Sequence, residues 1–279
     1  MKLIGVVLKH QSRDAQEAFR KLKDHLEVKD LEYVLIHSRR GDLSDEVKDR
    51  IPRCDLAVAF GGDGTLLFTA RLFSRYNVPI VGINLGGLGF ITEFRESEAV
   101  ECVQCFLERR HSFEERMMID VFCMSGGRIR SQDTGLNDLV INSGGISRLI
   151  ELELSTDHTL IGTYRSDGII VSTPTGSTAY SLAAGGPILD PLTDAFVISP
   201  ICPHSLGARP LVVPSGRSIH IRVLPADRPV TATIDGQVAH ELGQGDQVTV
   251  VRSGQVTRLV STGSRSYYDI VREKLYWKG

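Results

Sequence analysis

The chain has 279 residues, 42% hydrophobic and 24% charged, with 32 Lys and Arg against 34 Asp and Glu. That length accommodates about two domains of ~150 residues. A net charge of −2 argues against a protein that holds nucleic acid by bulk electrostatics, which needs a large basic excess.

Taken in chain order, Lys2 precedes an apolar run at 3–8, and Lys9-His10-Gln11 follows with no small-residue cleavage site. The start reads as a buried first strand, not a secretion signal, and the chain as cytoplasmic. No apolar run approaches the ~18 residues of a membrane helix. Asp14 and Glu17 fit a capping box for a helix whose Phe19, Leu22 and Leu26 share a face. Residues 33–37 form a second strand; Ser44 opens a short helix that Pro52 helps to end, and 56–60 form a third strand. Gly61-Gly62-Asp63-Gly64 turns into a helix over about 65–76, and Pro79 precedes a fourth strand at 80–83. Cys102 and Cys105 lie in a helical stretch at 101–110 and read as core packing, because no second pair completes a zinc site. The five cysteines, odd in number and irregularly spaced, read as reduced thiols. Strands that are apolar throughout, separated by helices, predict a Rossmann-like parallel α/β domain over 1–111.

After about Ser112 the texture changes. Short strands at 139–141, 149–154, 168–172, 219–224, 230–234 and 247–252 follow one another with Gly, Asn, Asp and Ser between them. Polar and apolar residues alternate in Ile219-His220-Ile221-Arg222-Val223. This predicts an antiparallel β-sandwich over 112–259. The tail from about 260, with a short helix or extended segment at 266–277, is assigned back to the α/β domain.

The chemistry concentrates in four places. Gly61-Gly62-Asp63-Gly64-Thr65 lies where a buried strand ends and a helix begins, the edge at which open α/β sheets bind ligands. Glycines let backbone approach a phosphate, and a helix start offers N–H groups to an anion. Asp63 would repel that anion unless it works with Mg2+ or accepts a proton from a nucleophilic hydroxyl; the same residues also fit a tight turn in which Asp63 caps the helix. Neither the P-loop nor the G-x-G-x-x-G spacing is present. Second, Asp167-Gly168 leads through Ser172-Thr173-Pro174-Thr175-Gly176-Ser177-Thr178-Ala179-Tyr180, a hydroxyl-rich stretch that suits phosphate and ribose, or serves as a capped connection. Third, Asn137-Asp138 offers polar groups to an adenine or ribose edge, or forms an ordinary turn. Fourth, Asp235-Gly236-Gln237 reads as a hairpin turn. Arg39-Arg40 and Arg109-Arg110 read as solvated surface charge, with Arg39-Arg40, near the end of the second strand, also placed where they could meet ATP; no His/Cys/Asp cluster has metal-site spacing.

Together these segments, with Asn84-Leu85-Gly86-Gly87-Leu88-Gly89-Phe90 and Pro200-Ile201-Cys202-Pro203-His204-Ser205-Leu206, resemble the NAD kinase family over residues 56 to about 237. The resemblance implies transfer of the ATP γ-phosphoryl group to the 2′-hydroxyl of the adenosine ribose of NAD, with Mg2+ or another divalent cation. It implies Asp63 as proton acceptor and Gly61, Gly62, Gly64 and Thr65 as the phosphate loop. It further implies a dinucleotide site drawn from Asp63, Gly64, Phe90, Asn137, Asp138, Arg148, Arg165, Asp167, Thr178, Ala179, Tyr180, Ser181, Leu182, Ala183 and Gln237. It implies a homodimer or homotetramer in which a neighbouring subunit helps complete the site, with no nucleic acid and no membrane partner. The family loop usually reads Asn-Arg-Gly-Asn-Leu-Gly-Phe, so Leu85 and Gly87 stand here for Arg and Asn; Asp138 replaces the common Glu, and Ala183 a common Ser. Two alternatives share parts of the pattern: a diacylglycerol or sphingosine-type lipid kinase, which has Gly-Gly-Asp-Gly-Thr, and a non-catalytic NAD sensor. No basic amphipathic helix supports the first, and a pure sensor has little use for Asp63 beside phosphate.

Overall fold

β1 (Leu3–Lys9) is buried at every position but its last, as an apolar run without alternation requires when helices cover both faces of a sheet. The computed structural model describes residues 2–38, 43–87, 89–143, 149–225 and 229–277. Two compact units form: residues 1–116 with 255–279, and residues 117–254.

In the first unit β1 is followed by α1 (Arg13–Val28), β2 (Glu32–Ser38), α2 (Asp45–Arg50), β3 (Leu56–Gly61), α3 (Asp63–Phe73), β4 (Ile80–Asn84), the two-residue β5 (Phe94–Arg95) and α4 (Ala99–Leu107). β2, β1, β3 and β4 lie side by side in that order, all parallel. The register sets Leu8 beside Phe60 and Gly61 beside Asn84, which brings the carboxyl ends of three strands to one edge. α1 buries Ala15, Ala18, Phe19, Leu22 and Leu26, a stripe at helical spacing, into one core with Ile4, Val58 and Phe60.

Four local readings are corrected. Ser12 caps α1, its hydroxyl accepting from Ala15 N at 3.2 Å; Asp14 sits one step inside, where its charge favours the positive helix end. α3 starts at Asp63, directly after the extended Gly62, and not at 65. Pro52 does not end α2 but lies in a 3-10 turn, Ile51–Arg53, that continues it, a position where its missing N–H is tolerated. α4 is shorter than 101–110 because the backbone turns left-handed at Arg109, with φ +58°.

The second unit takes most of β6 (Ser112–Ser125), then β7 (Arg128–Gly135), β8 (Asp138–Ser143), β9 (Ile150–Thr156), β10 (Thr159–Ser166) and β11 (Gly168–Ser172). After the short α5 (Tyr180–Ala183) come β12 (Ala195–Ile201), β13 (Leu211–Pro214), β14 (Ile219–Val223), β15 (Val230–Ile234), β16 (Val238–Leu242) and β17 (Gln247–Ser261), and α6 (Tyr267–Lys274) closes the chain. One antiparallel sheet runs β13-β12-β11-β8-β15-β16. Opposite it, β10, β9, β14 and the start of β17 form antiparallel ladders, and β6 pairs with β7. Ile141, Ile169 and Phe196 from one layer and Leu152, Ile221 and Val250 from the other share one buried core; this is a β-sandwich. β17 has 15 residues, far more than 247–252. The strand continues through Ser253-Gly254, and Leu259 pairs with Ile80 in the first unit. No helix among the described residues is long and apolar enough to cross a membrane.

Candidate active site

Asp63 stands at the carboxyl end of β3 as the first residue of α3. The loop after β4 grips its carboxylate. Oδ2 accepts from Phe90 N at 3.0 Å; Oδ1 accepts from Ile91 N at 3.2 Å, Thr92 N at 3.2 Å and Thr92 Oγ1 at 3.1 Å. Asn84 steadies the loop, donating from Nδ2 to Thr92 Oγ1 at 2.8 Å and accepting from Gly86 N at 2.9 Å. Four donors hold the carboxylate in one orientation.

The glycines here have two different causes. A Cβ at Gly89 would lie 2.1 Å from Asp63 Oδ1, and one at Gly61 would lie 2.1 Å from Thr65 Oγ1; the chain itself needs both. A Cβ at Gly62, Gly64 or Gly87 would meet no atom within 4 Å. Packing does not ask for glycine there. Gly62 and Gly87 line a cavity of about 300 Å3 together with Asp63, Ser12, Asp14, Lys9 and Lys274. Bare backbone facing a cavity is what a closely approaching phosphate needs.

The two lysines escape the sequence reading. Lys9 carried a signal, since it ends an apolar strand at the ligand-binding edge of a parallel sheet. Lys274 carried none: only the folded chain brings α6 to this cavity.

In the second unit Asn137 and Asp138, both buried, stand at the start of β8. Asp235 and Gly236, at φ +51° and +65°, make the turn between β15 and β16, the geometry that suits a tight hairpin. The Asp235 carboxylate accepts from Leu136 N at 2.8 Å, Asn137 N at 2.7 Å and Asp138 N at 3.1 Å. The hairpin is therefore also a brace for Asn137-Asp138. Burial, and then the charge of Asp235, push the Asp138 carboxyl up to about 7.

The hydroxyl-rich stretch docks on the same spot. Thr173 donates from N to Asn137 O at 2.8 Å and from Oγ1 to Leu136 O at 2.6 Å. Gly176 is required, because a Cβ would lie 2.2 Å from Asn137 O. The hydroxyls of Ser172, Thr173, Ser177, Thr178 and Ser181 bond within the chain. They shape the turn. Two buried polar atoms at this place, Asn137 Oδ1 and Thr175 Oγ1, have no hydrogen-bond partner among the described residues, and buried polar atoms of that kind call for an explanation. Thr178, Ala179, Leu182 and Gln237 are half-buried, Ser181 is buried, and Tyr180 and Ala183 are exposed. Asp167 is half-buried at the turn into β11, whereas Arg165 is exposed beside Glu151 at 3.9 Å. Arg148, Arg39 and Arg40 lie outside the described residues.

Family models match both halves of the chain: the ATP-NAD kinase N-terminal domain over residues 4–111 and the ATP-NAD kinase C-terminal domain over 136–262. The chain belongs to the NAD kinase family. The NAD kinase of Heliobacterium modesticaldum is 38% identical over 279 residues, 99% of each chain. That of Geotalea daltonii is 45% identical over 231 residues, 82% of this chain and 81% of its own. Among solved structures, yeast NADH kinase complexed with NADH superposes with a TM-score of 0.89 at 24% identity, covering 100% of this chain and 89% of that one. An NAD kinase from Archaeoglobus fulgidus in complex with ATP gives 0.77 at 24% identity, covering 99% and 100%. These two bear on the fold, an α/β domain followed by a β-sandwich. As an NAD kinase the chain is a transferase with NAD as acceptor and ATP as donor; a lipid acceptor is not favoured.

Proposed function

We propose that the chain transfers the γ-phosphoryl group of ATP to the 2′-hydroxyl of the adenosine ribose of NAD, giving NADP, with Asp63 as proton acceptor. The supporting observation is the fixed Asp63 carboxylate beside a cavity walled by glycine backbone. The ribose oxygen attacks the γ-phosphorus in line, the bond to the ADP oxygen breaks, and the hydroxyl proton passes to the carboxylate. Such a reaction needs positioning and charge neutralisation more than covalent chemistry. Gly61, Gly62, Gly64 and Thr65 form the phosphate loop.

Asn137, Asp138, Asp167, Thr178, Ala179, Tyr180, Ser181, Leu182, Ala183 and Gln237 hold the dinucleotide, joined by Gly64, Phe90, Arg148 and Arg165. The unpartnered Asn137 Oδ1 and Thr175 Oγ1 support a ligand at this place. Mg2+ takes hard oxygen ligands and keeps several waters. The Asp14 carboxylate and the Ser12 hydroxyl line the Asp63 cavity and fit that preference. No group of three or more His, Cys, Asp or Glu able to hold a metal occurs among the described residues, so the ion would arrive on the nucleotide. When bound, it supplies neutralising charge.

The reading includes a cytoplasmic homodimer or homotetramer. Five free cysteines, four of them buried, support the compartment. The sheet edge at β13, with Leu211 and Val212 exposed at 39% and 45%, supports self-association, and sedimentation of the purified chain as a monomer would overturn it.

The deciding assay supplies Mg2+, ATP and NAD or NADH to the purified protein. NADP is expected from NAD, with Asp63→Asn lowering kcat by about 10²–10⁴-fold while NAD affinity stays within about twofold. The substitution sets an amide donor against the loop's own N–H groups, so a thermal melt accompanies the assay. NAD binding without turnover under any donor would favour the sensor and sink the kinase.

A further inference from the structure

Lys9 ends the first strand and Lys274 ends the last helix, yet both line the cavity in front of Asp63. Neither ammonium is paired with a carboxylate among the described residues. Lys274 is held in place by the loop that grips Asp63: its ammonium lies 5.6 Å from the centre of the Phe90 ring, a cation–π distance, and the Phe90 N–H is one of the donors on Asp63. The start of α6 is tied to the same loop, with Arg265 donating to Glu93 O at 3.1 Å. Ser266 caps the helix through Asp269. The helix is therefore braced at both ends against the segment that orients the reacting carboxylate.

Among the described residues, the other walls of the cavity bring no positive side chain. Gly62 and Gly87 offer backbone with no Cβ contact, Leu85 is apolar, and Asp14 and Asp63 are acidic. A polyanion placed here meets two carboxylates, and among the described lining residues the two ammonium groups are the charges that offset them. At about 300 Å3 the cavity is at the lower limit of ligand pockets, roughly 300–1,000 Å3, a size for a phosphate chain without its nucleoside.

We propose that Lys9 and Lys274 bind the terminal phosphates of the donor, which makes α6 part of the donor site. The inference rests on the ATP-donor reading above. It assigns the donor's charge recognition to two lysines from opposite ends of the chain, with no P-loop lysine.

Lys9→Ala, Lys274→Ala, the double variant and Lys274→Arg test it in the full-length protein. Equilibrium binding of ATP with Mg2+ is measured beside steady-state kinetics. Each alanine is expected to weaken ATP binding and raise its KM by about tenfold, the size of one lost charge-assisted hydrogen bond. The double variant loses more, Lys274→Arg keeps affinity near wild type, and the KM for NAD stays unchanged. Added salt weakens ATP binding by the wild type more than by the double variant, as a charge contact requires. A double variant that binds ATP as the wild type does overturns the inference. So does a parallel rise in both KM values with a lowered melting temperature, the sign of a merely structural role. A wild type that binds ATP through these lysines but forms no NADP would overturn the function reading and leave the inference standing.

Discussion

Gly61 and Gly62 are neighbours with opposite reasons to be glycine. A Cβ at Gly61 would press on Thr65, 2.1 Å from Oγ1 and 2.6 Å from Cβ, and Thr65 is buried. Overpacking of this kind costs about 1–3 kcal/mol, so Gly61→Ala should lower the melting temperature by several degrees, at about 2–4 °C per kcal/mol for a chain of this size. Gly62 stands in an extended conformation with open space beside it. Gly62→Ala should change stability by no more than about 1 kcal/mol, the usual cost of alanine at an N-cap, and should raise the KM for ATP. Thermal melts and kinetics on the pair separate the two causes. A Gly62→Ala protein with unchanged kinetics would remove the argument that this backbone is kept bare for phosphate. Asp63 was legible in the same motif because a carboxylate between glycines at a strand end is chemically odd. Its four donors were not, since they belong to residues 90–92, which only the fold brings near.

At the scale of elements, the loop after β4 and the β15–β16 turn use the same bond in opposite directions. In one, backbone N–H groups hold a carboxylate that heads a helix; in the other, a turn carboxylate holds the N–H groups that head a strand. The hairpin was legible from Asp-Gly, whose left-handed backbone such turns demand. Its bracing role was not, because nothing local says that β8 lies beside β15. Short strands with polar faces were missed for a related reason: β7 is largely exposed and lacks the apolar rhythm that marks a core strand. Bracing also puts two carboxyls together, and a pH dependence follows. Asp138 is pushed up to about 7, by burial first and then by Asp235, against an unfolded value near 4. Between those values the folded chain holds a proton that the unfolded chain has lost, so stability falls as pH rises through that window. Glu93, pushed up to about 7 by burial and then by Glu114, tilts the same way. Asp138→Asn removes one of these titrations while keeping the shape. Its melting temperature should exceed that of the wild type at pH 8, approach it at pH 5, and vary less between them. Equal pH slopes for the two proteins would show that Asp138 is ionised in the folded state at neutral pH.

The first unit is built from both ends of the chain, and this governs how the whole molecule can be divided. Its core includes Val260 beside Ile4, Val58 and Phe60. Leu259 extends the parallel sheet through Ile80, and Thr257 Oγ1 meets Ser74 Oγ at 2.8 Å in a buried contact. Ile270 and Val271 of α6 are buried as well. Leu259, Val260, Ile270 and Val271 each represent about 1.5–3 kcal/mol of burial. Their sum is comparable to the 5–15 kcal/mol that separates a folded domain from its unfolded chain. A fragment of residues 1–116 should therefore lack a cooperative melt, and adding residues 255–279 through a flexible linker should restore one. The second unit differs. Every buried member of its core falls between Met117 and Val250, and its ladders, such as Ile119 with Gly135 and Ile219 with Val250, close inside residues 117–254. That fragment should unfold cooperatively alone, as judged by calorimetry with near-ultraviolet circular dichroism. A cooperative melt of residues 1–116 by themselves would mean that β17 and α6 decorate the α/β unit without completing it. The tail would then be present for Lys274 and the cavity, not for the core.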